Sequence, residues 1–148
     1  RKITKGLVHW LKNGKPVELG NLDSKRDWGY AGDYVEAMYL MLQNDKPDNY
    51  VISTGETFSV KDFINTSCNE LRIDIEWQGS GIDETAIDKK TGKSIIRINP
   101  KFYRPTEVDL LLGNSTKAKK MLKWKPKTNF YELVSKMIDY DYNKLKNK

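Results

Sequence analysis

The chain has 148 residues, of which 26 are basic and 20 are acidic, so its formal net charge is +6. One cysteine and one histidine exclude an internal disulfide and a zinc site built from several such ligands. The longest apolar run, residues 37–42, is far shorter than the roughly 20 residues of a membrane-spanning helix. These limits favour a folded domain of a reducing compartment, and we expect a cytoplasmic location.

The first third of the chain alternates helical and extended patterns. Apolar residues at helical spacing predict a helix over 3–12, and a short strand over 16–19 follows it. Residues 20–29 have the composition of a loop. Asp33 is predicted to open a second helix through a capping box, and a mostly apolar strand is predicted over 50–54.

The middle of the chain continues the alternation. Ser59 is predicted to cap a third helix, and residues 73–77 alternate as a half-buried strand does. Residues 79–93 have no clear period and are predicted to form a polar loop. A further strand is predicted over 94–98, with a turn over 99–105 behind it.

The last third predicts one strand and two helices. Residues 108–112 are apolar and short enough for a strand. Ser115 is predicted to cap a short helix, and Thr128 the final one. Strands and helices that alternate along a whole chain indicate an α/β fold.

Two arginines stand in loops next to predicted strands, where binding residues gather. Arg26 lies between a strand and a helix, and Arg104 lies in the turn before the strand over 108–112. A guanidinium fork suits phosphate oxygens, so two such loops that converge would bind a diphosphate. The alternative is that each arginine pairs with a neighbouring acid, Asp27 or Glu107.

Two other sequence patterns are interpreted as having no specific function. The lysine-rich run over 117–127, which surrounds Trp124, could contact nucleic acid, but such runs are usually solvated helix faces. Tyr140 and Lys144 have the Tyr-x-x-x-Lys spacing of short-chain dehydrogenases, yet they lie in the final polar turns of the chain. We interpret the first as a solvated surface and the second as an accidental match.

A set of ordered strings resembles the GDP-mannose 4,6-dehydratase family of extended short-chain dehydrogenases. The matching strings are residues 1–4, 19–23, 25–38, 50–56, 87–92, 103–113 and 124–126. They run over essentially the whole chain, and other extended short-chain dehydrogenases share the fold but not these strings. The resemblance therefore points to this family specifically.

The resemblance implies an α/β C-terminal fragment, residues 1–148, that is mostly substrate-binding domain. Residues of about 27–55 would supply an edge helix and strand to a Rossmann domain, which would lie in an N-terminal half upstream of Arg1 together with the catalytic residues. The complete enzyme would use bound NADP to oxidise C4 of GDP-mannose, eliminate water across C5–C6 and return the hydride to C6. This fragment alone is expected to be inactive.

The resemblance also implies which residues meet the substrate. Arg26 and Arg104 match positions that grip the diphosphate and the ribose, and Glu107 matches a residue that accepts hydrogen bonds from the ribose. No residue of the chain is expected to bind the cofactor or a metal.

The remaining expected contacts surround the guanine and the phosphates. Gly20 and Asn21 match the place where a backbone group and an amide meet the guanine ring. Lys2 and Lys25 are expected to flank the path of the phosphates.

The expected partners are GDP-mannose, the N-terminal Rossmann half and further copies in a dimer or tetramer, with no membrane and no nucleic acid. Two alternatives stay open. The chain could be a non-catalytic nucleotide-sugar-binding or assembly module of the same fold, or a basic nucleic-acid-binding domain built on the 117–127 run.

Overall fold

The computed structural model describes residues 1–106, 108 and 110–147, which form a mixed α/β fold. Its α-helices are α1 (Lys2–Asn13), α2 (Ala31–Leu42), α3 (Val60–Glu70), α4 (Thr116–Met121) and α5 (Phe130–Lys146). Its strands are β1 (Val17–Leu19), β2 (Lys25–Arg26), β3 (Phe58–Ser59), β4 (Ile75–Gln78), β5 (Thr85–Asp88), β6 (Ser94–Ile98) and β7 (Leu110–Leu111). One 3₁₀ turn covers Gly81–Asp83. The alternation of helical and extended patterns in the sequence therefore predicted the α/β fold class correctly.

The larger sheet has the strand order β1-β6-β5-β4. β1 runs parallel to β6, with Val17 opposite Ile96, whereas β6, β5 and β4 pair antiparallel. The helices α1 and α3 pack against α5 beside this sheet. Because β1 and β6 are neighbours, the loops that leave their carboxyl ends lie close together.

A main core fills the space between this sheet and the three helices. Its least exposed side chains, each 0–1% exposed, include Leu7, Phe63, Ile64, Ile96 and Val134. The spacing of the apolar residues along α1, α3 and α5 explains this core, since one apolar stripe of each helix meets the sheet.

The smaller sheet, ordered β3-β2-β7, has two residues in each strand. β2 pairs antiparallel with β3 and parallel with β7. It therefore joins the segment that carries Arg26 to the segment that follows Arg104.

A second, smaller apolar group, the α2–α4 cluster, comprises the buried residues Ala37, Ala118, Leu122 and Trp124. The indole N–H of Trp124 donates to the backbone oxygen of Asp33 over 2.9 Å. The Asp33 carboxylate accepts from the backbone N–H groups of Lys127 (3.0 Å) and Thr128 (2.9 Å). These bonds attach α2 to the segment that leads into α5.

The helix caps differ in part from those predicted. α2 begins at Ala31 after Tyr30, so Asp33 is not its cap, because the Asp33 carboxylate binds the segment before α5 instead. The predicted cap of the final helix, Thr128, is wrong by one residue, since Asn129 caps α5 with a capping box. Ser59 caps α3 as predicted.

Two predicted segments also differ. The predicted polar loop over 79–93 contains β5, whose alternation is hidden because Ala86 and Asp88 are its inward residues. Residues 50–54 form no strand, since no strand of the described residues pairs with them.

Within the described part of the chain, no helix has both the length and the apolar character that crossing a membrane requires.

Candidate functional site

The candidate site begins where a side-chain amide joins two loops. Asn21 donates from Nδ2 to the backbone oxygen of Arg104, and its Oδ1 accepts from the Arg104 backbone N–H, both over 2.8 Å. Such a reciprocal pair imitates two bonds of a sheet ladder. The loop after β1 and the turn that carries Arg104 are thereby fixed to each other.

The same two loops approach closely one residue earlier. A Cβ on Gly20 would overlap the backbone oxygen of Phe102, so the glycine is required by the contact. The backbone N–H of Asn99 donates to the backbone oxygen of Leu19 over 2.8 Å, which extends the β1–β6 pairing up to the turn. The position of Arg104 is therefore set by the end of the larger sheet.

Arg26 enters the site from β2. Its Nη1 donates to the backbone oxygen of Val108 over 2.9 Å and to that of Lys25 over 2.8 Å. The guanidinium thus contacts the segment just beyond Arg104. The two arginine-bearing loops therefore meet, which is the condition that the diphosphate hypothesis set.

A cavity of about 220 Å³ lies beside these loops. It is lined by Asn21, Leu22, Asp23, Ser24, Gly81, Glu84, Ile98, Tyr103 and Pro105. The Glu84 carboxylate, 12% exposed, is hydrogen-bonded by the Lys61 ammonium, which itself lies over the Trp77 ring. Carboxylates and amides at such a wall accept hydrogen bonds from the N–H and O–H groups of a ligand.

The other predicted site residues lie nearby. The Lys2 ammonium sits 3.7 Å from the centre of the Phe102 ring, beside the turn that precedes Arg104. Lys25 is exposed on β2, between Ser59 and Leu110 of the neighbouring strands. Glu107 lies outside the described residues.

Sequence reasoning assigned Asp27 no role except as a possible partner of Arg26. Its carboxylate instead accepts from the backbone N–H and hydroxyl of Thr54 (2.8 and 2.6 Å) and from the backbone N–H of Gly55 (3.0 Å). A longer bond of 3.4 Å comes from the Gly113 N–H. Its position directly after Arg26 was the one signal available in the sequence.

Two side chains outside the cavity, Tyr34 and Cys68, have raised pKa values. Burial, with the negative charges of Asp27 and Asp33 beside it, raises the pKa of Tyr34. Burial in the main core raises the pKa of Cys68 to about 12, which makes the thiol inert. Neither group faces the cavity, so neither is a candidate for chemistry at this site.

The lysines of the run over 117–127 are exposed, and two of them form ion pairs with acidic side chains. Lys117 pairs with Asp48 over 2.6 Å and Lys127 with Glu36 over 2.7 Å. Trp124 is 2% exposed, so its ring cannot stack on a base. The run is an exposed surface with ion pairs, in agreement with its interpretation as a solvated surface.

The sequence comparisons agree on one group of enzymes. A family model described as GDP-mannose 4,6 dehydratase matches residues 1–137. The GDP-mannose 4,6 dehydratase of Dictyostelium discoideum is 55% identical, over 99% of this chain and 42% of its own length. That of Drosophila melanogaster is 51% identical, over 95% of this chain and 36% of its own. The chain therefore spans about two-fifths of the curated relatives that it matches.

Solved structures share the fold at much lower identity. RMD from Pseudomonas aeruginosa, complexed with NADPH, has a TM-score of 0.72 and 14% identity, over 97% of this chain and 43% of its own. The UDP-glucose 4-epimerase of Thermotoga maritima, with UDP-glucose, has a TM-score of 0.71 and 20% identity, over 99% of this chain and 39% of its own. At this identity the likeness concerns the fold alone.

Proposed function

The chain belongs to the GDP-mannose 4,6 dehydratase family, and from this premise we propose that it forms the part of such an enzyme that binds GDP-mannose. The observation that carries the proposal is the attachment of the Arg26 and Arg104 loops to each other. Asn21 holds the Arg104 backbone, and Arg26 reaches the Val108 oxygen.

The diphosphate is the group that these loops would hold. A guanidinium offers parallel N–H donors that match phosphate oxygens, and such charge-assisted bonds are roughly twice as strong as neutral ones. Because the two loops are attached to each other, the backbones that carry the two arginines are in place before the ligand arrives, which lowers the entropic cost of binding. Lys2 and Lys25 would add longer-range attraction.

The cavity beside the loops would take the guanosine. Guanine presents N–H donors on its Watson–Crick edge, and Asp23 and Glu84 on the cavity wall are acceptors. The loop after β1, which contains Gly20 and Asn21, would contact the guanine ring. We propose Glu107 as the acceptor for the ribose hydroxyls.

The chain would supply affinity and orientation rather than the reaction itself. Contacts that hold the ground state and the transition state equally lower KM and leave kcat unchanged. We propose that NADP and the groups that oxidise C4, eliminate water and return the hydride lie in the part of the enzyme that this chain does not span. This division is supported by the share of the relatives that the chain covers, 36–42%.

The remainder of the enzyme would pack on an exposed apolar surface of this chain. Along α2, four side chains at helical spacing are 58–82% exposed: Val35, Met38, Tyr39 and Leu42. Val51, Leu111 and Leu112, which are also exposed, line an adjoining cleft of about 420 Å³. A contiguous apolar surface of this kind is typical of an interface.

The test is calorimetric titration of GDP-mannose into the complete enzyme and its variants. Arg26→Ala and Arg104→Ala should each weaken binding by about 1.5–3 kcal/mol, roughly tenfold or more in Kd. Lysine at either position should restore only part of the affinity, since it keeps the charge but loses the fork.

The matched control is Arg97→Ala, which removes an exposed arginine on β6 whose Nε donates to the Ser94 hydroxyl. This variant should bind GDP-mannose normally. Unchanged affinity in both Arg26→Ala and Arg104→Ala would place the substrate elsewhere.

A further inference from the structure

The Asp27 carboxylate is the point where three segments meet. Its bonds to Thr54 and Gly55, of 2.6–3.0 Å, hold the segment after residues 50–53, and its 3.4 Å bond reaches Gly113 beyond β7. The shortest of these contacts, 2.6 Å, joins the Thr54 hydroxyl to the Asp27 carboxylate. The carboxylate therefore attaches the end of β2 to both of these segments.

This attachment matters because β2 is too short to hold its own position. The strand has two residues, and its ladders to β3 and β7 pair two residues each. Such short pairings are marginal without additional contacts. Asp27 directly follows the strand, so its bonds supply the support that a longer ladder would give.

The position of Arg26 depends on the same strand. Successive side chains of an extended chain point to opposite sides, so Arg26 and Asp27 diverge. Arg26 reaches Val108, and Asp27 reaches Thr54, Gly55 and Gly113. Fixing one side chain of this pair restricts the backbone from which the other extends.

We propose that Asp27 is a positioning residue for Arg26 and so for binding of the substrate diphosphate. The inference rests on the proposed function, in which Arg26 contacts that diphosphate. A carboxylate one residue from a phosphate site would repel the ligand if its charge were uncompensated. Here N–H and O–H donors from Thr54, Gly55 and Gly113 bind the carboxylate, and such bonds disperse its negative charge.

The test is a double-mutant cycle in the complete enzyme, with GDP-mannose affinity measured by calorimetry. Asp27→Asn keeps the size of the side chain but places an NH2 group against N–H donors. It should weaken binding about tenfold, the loss expected for a hydrogen bond to a charged group. In the Arg26→Ala background the same change should weaken binding less than about twofold, because the residue through which Asp27 acts is gone. KM should rise in the single variant while kcat changes little.

The matched control is Asp33→Asn, since the Asp33 carboxylate also accepts two backbone N–H groups but serves the α2–α4 cluster. This variant should lower the melting temperature and leave GDP-mannose affinity within about twofold. A second variant, Thr54→Val, removes the hydroxyl donor and keeps the backbone one. It should weaken binding about threefold, again only when Arg26 is present.

Each outcome decides the proposal. Equal losses of affinity with and without Arg26, or normal affinity in Thr54→Val when Asp27→Asn does not fold, would show that Asp27 only stabilises the fold. Normal affinity in Asp27→Asn, with weakened binding in Arg26→Ala, would overturn the proposal and leave the proposed function standing. Normal affinity in Arg26→Ala would overturn the proposal for Asp27, and normal affinity in Arg104→Ala as well would overturn the proposed function.

Discussion

The helices α1 and α2 have the same length, 12 residues each, but very different surroundings. α1 buries Ile3, Leu7, Val8 and Trp10 in one stripe against the larger sheet and α5. α2 buries Asp33 and Ala37 and leaves the opposite apolar stripe open. A helix that is apolar on more than one face is built to be covered on more than one face.

The difference extends to the regions around the two helices. The main core joins α1, α3, α5 and the larger sheet into one apolar cluster. The α2–α4 cluster is small and lies next to exposed apolar residues, and the buried Ser53 hydroxyl beside it has no hydrogen-bond partner within the described residues. The first region buries its apolar residues within this chain, whereas the second leaves apolar side chains exposed, as the proposed interface requires.

The largest expected effect concerns the thiol of the main core. With a pKa of about 12, Cys68 should hold roughly a thousandfold less thiolate at pH 8 than an ordinary cysteine. A thiol reagent should therefore label the folded chain only through unfolding and label the denatured chain at once. The unfolded thiol ionises from about pH 8.5 and the folded one does not, so this residue's contribution to stability falls as pH rises above that value. Rapid labelling of the folded chain would show that α3 opens.

A matched pair of leucine deletions compares the two regions directly. Leu7→Ala should lower the free energy of unfolding by about 4 kcal/mol, because Leu7 is fully buried and rigid neighbours surround it. Leu122→Ala in the α2–α4 cluster should cost about 2 kcal/mol, since neighbours beside an open surface can collapse into the cavity. Urea denaturation measures both. Equal costs would mean that the smaller cluster is as well packed as the main core.

The smallest effect is expected on the open face of α2. Leu42 is 82% exposed, so Leu42→Gln should change the stability of the isolated chain by no more than about 0.5 kcal/mol and should reduce self-association. In the complete enzyme the same change should cost about 1–3 kcal/mol, because the proposed interface would cover the face there. Leu11→Gln on α1, at a residue 45% exposed, is the control and should be neutral in both. Equal behaviour of the two variants in the complete enzyme would contradict the proposed interface.

Most of the fold could be predicted because its elements carry local signals. The apolar stripes of α1, α3 and α5 follow helical spacing, and the Ser59 cap lies at the start of α3 as its sequence indicates. β5 could not be predicted, since a small residue and a buried acid, Ala86 and Asp88, face inward. Residues 50–54 have a strand sequence, but a strand needs a partner to pair with, and none lies in the described residues.

The candidate site likewise had one part that could be predicted from the sequence and one that could not. Arg26 and Arg104 identified the two loops in the sequence, because an arginine beside a predicted strand can be recognised from its local neighbours. The attachment of Asn21 to Arg104 and that of Asp27 to Thr54 join residues far apart in the chain. Such contacts follow from sheet topology, which a single sequence leaves undetermined.

The central claim is that the loops at residues 20–27 and 102–108 bind the sugar nucleotide. Hydrogen–deuterium exchange of the complete enzyme, with and without saturating GDP, tests it most directly. GDP should slow exchange in peptides that cover these two loops and leave exchange in β4 and α5 unchanged. Protection confined to other segments, with both loops exchanging at the same rate in the presence and absence of GDP, would contradict the account.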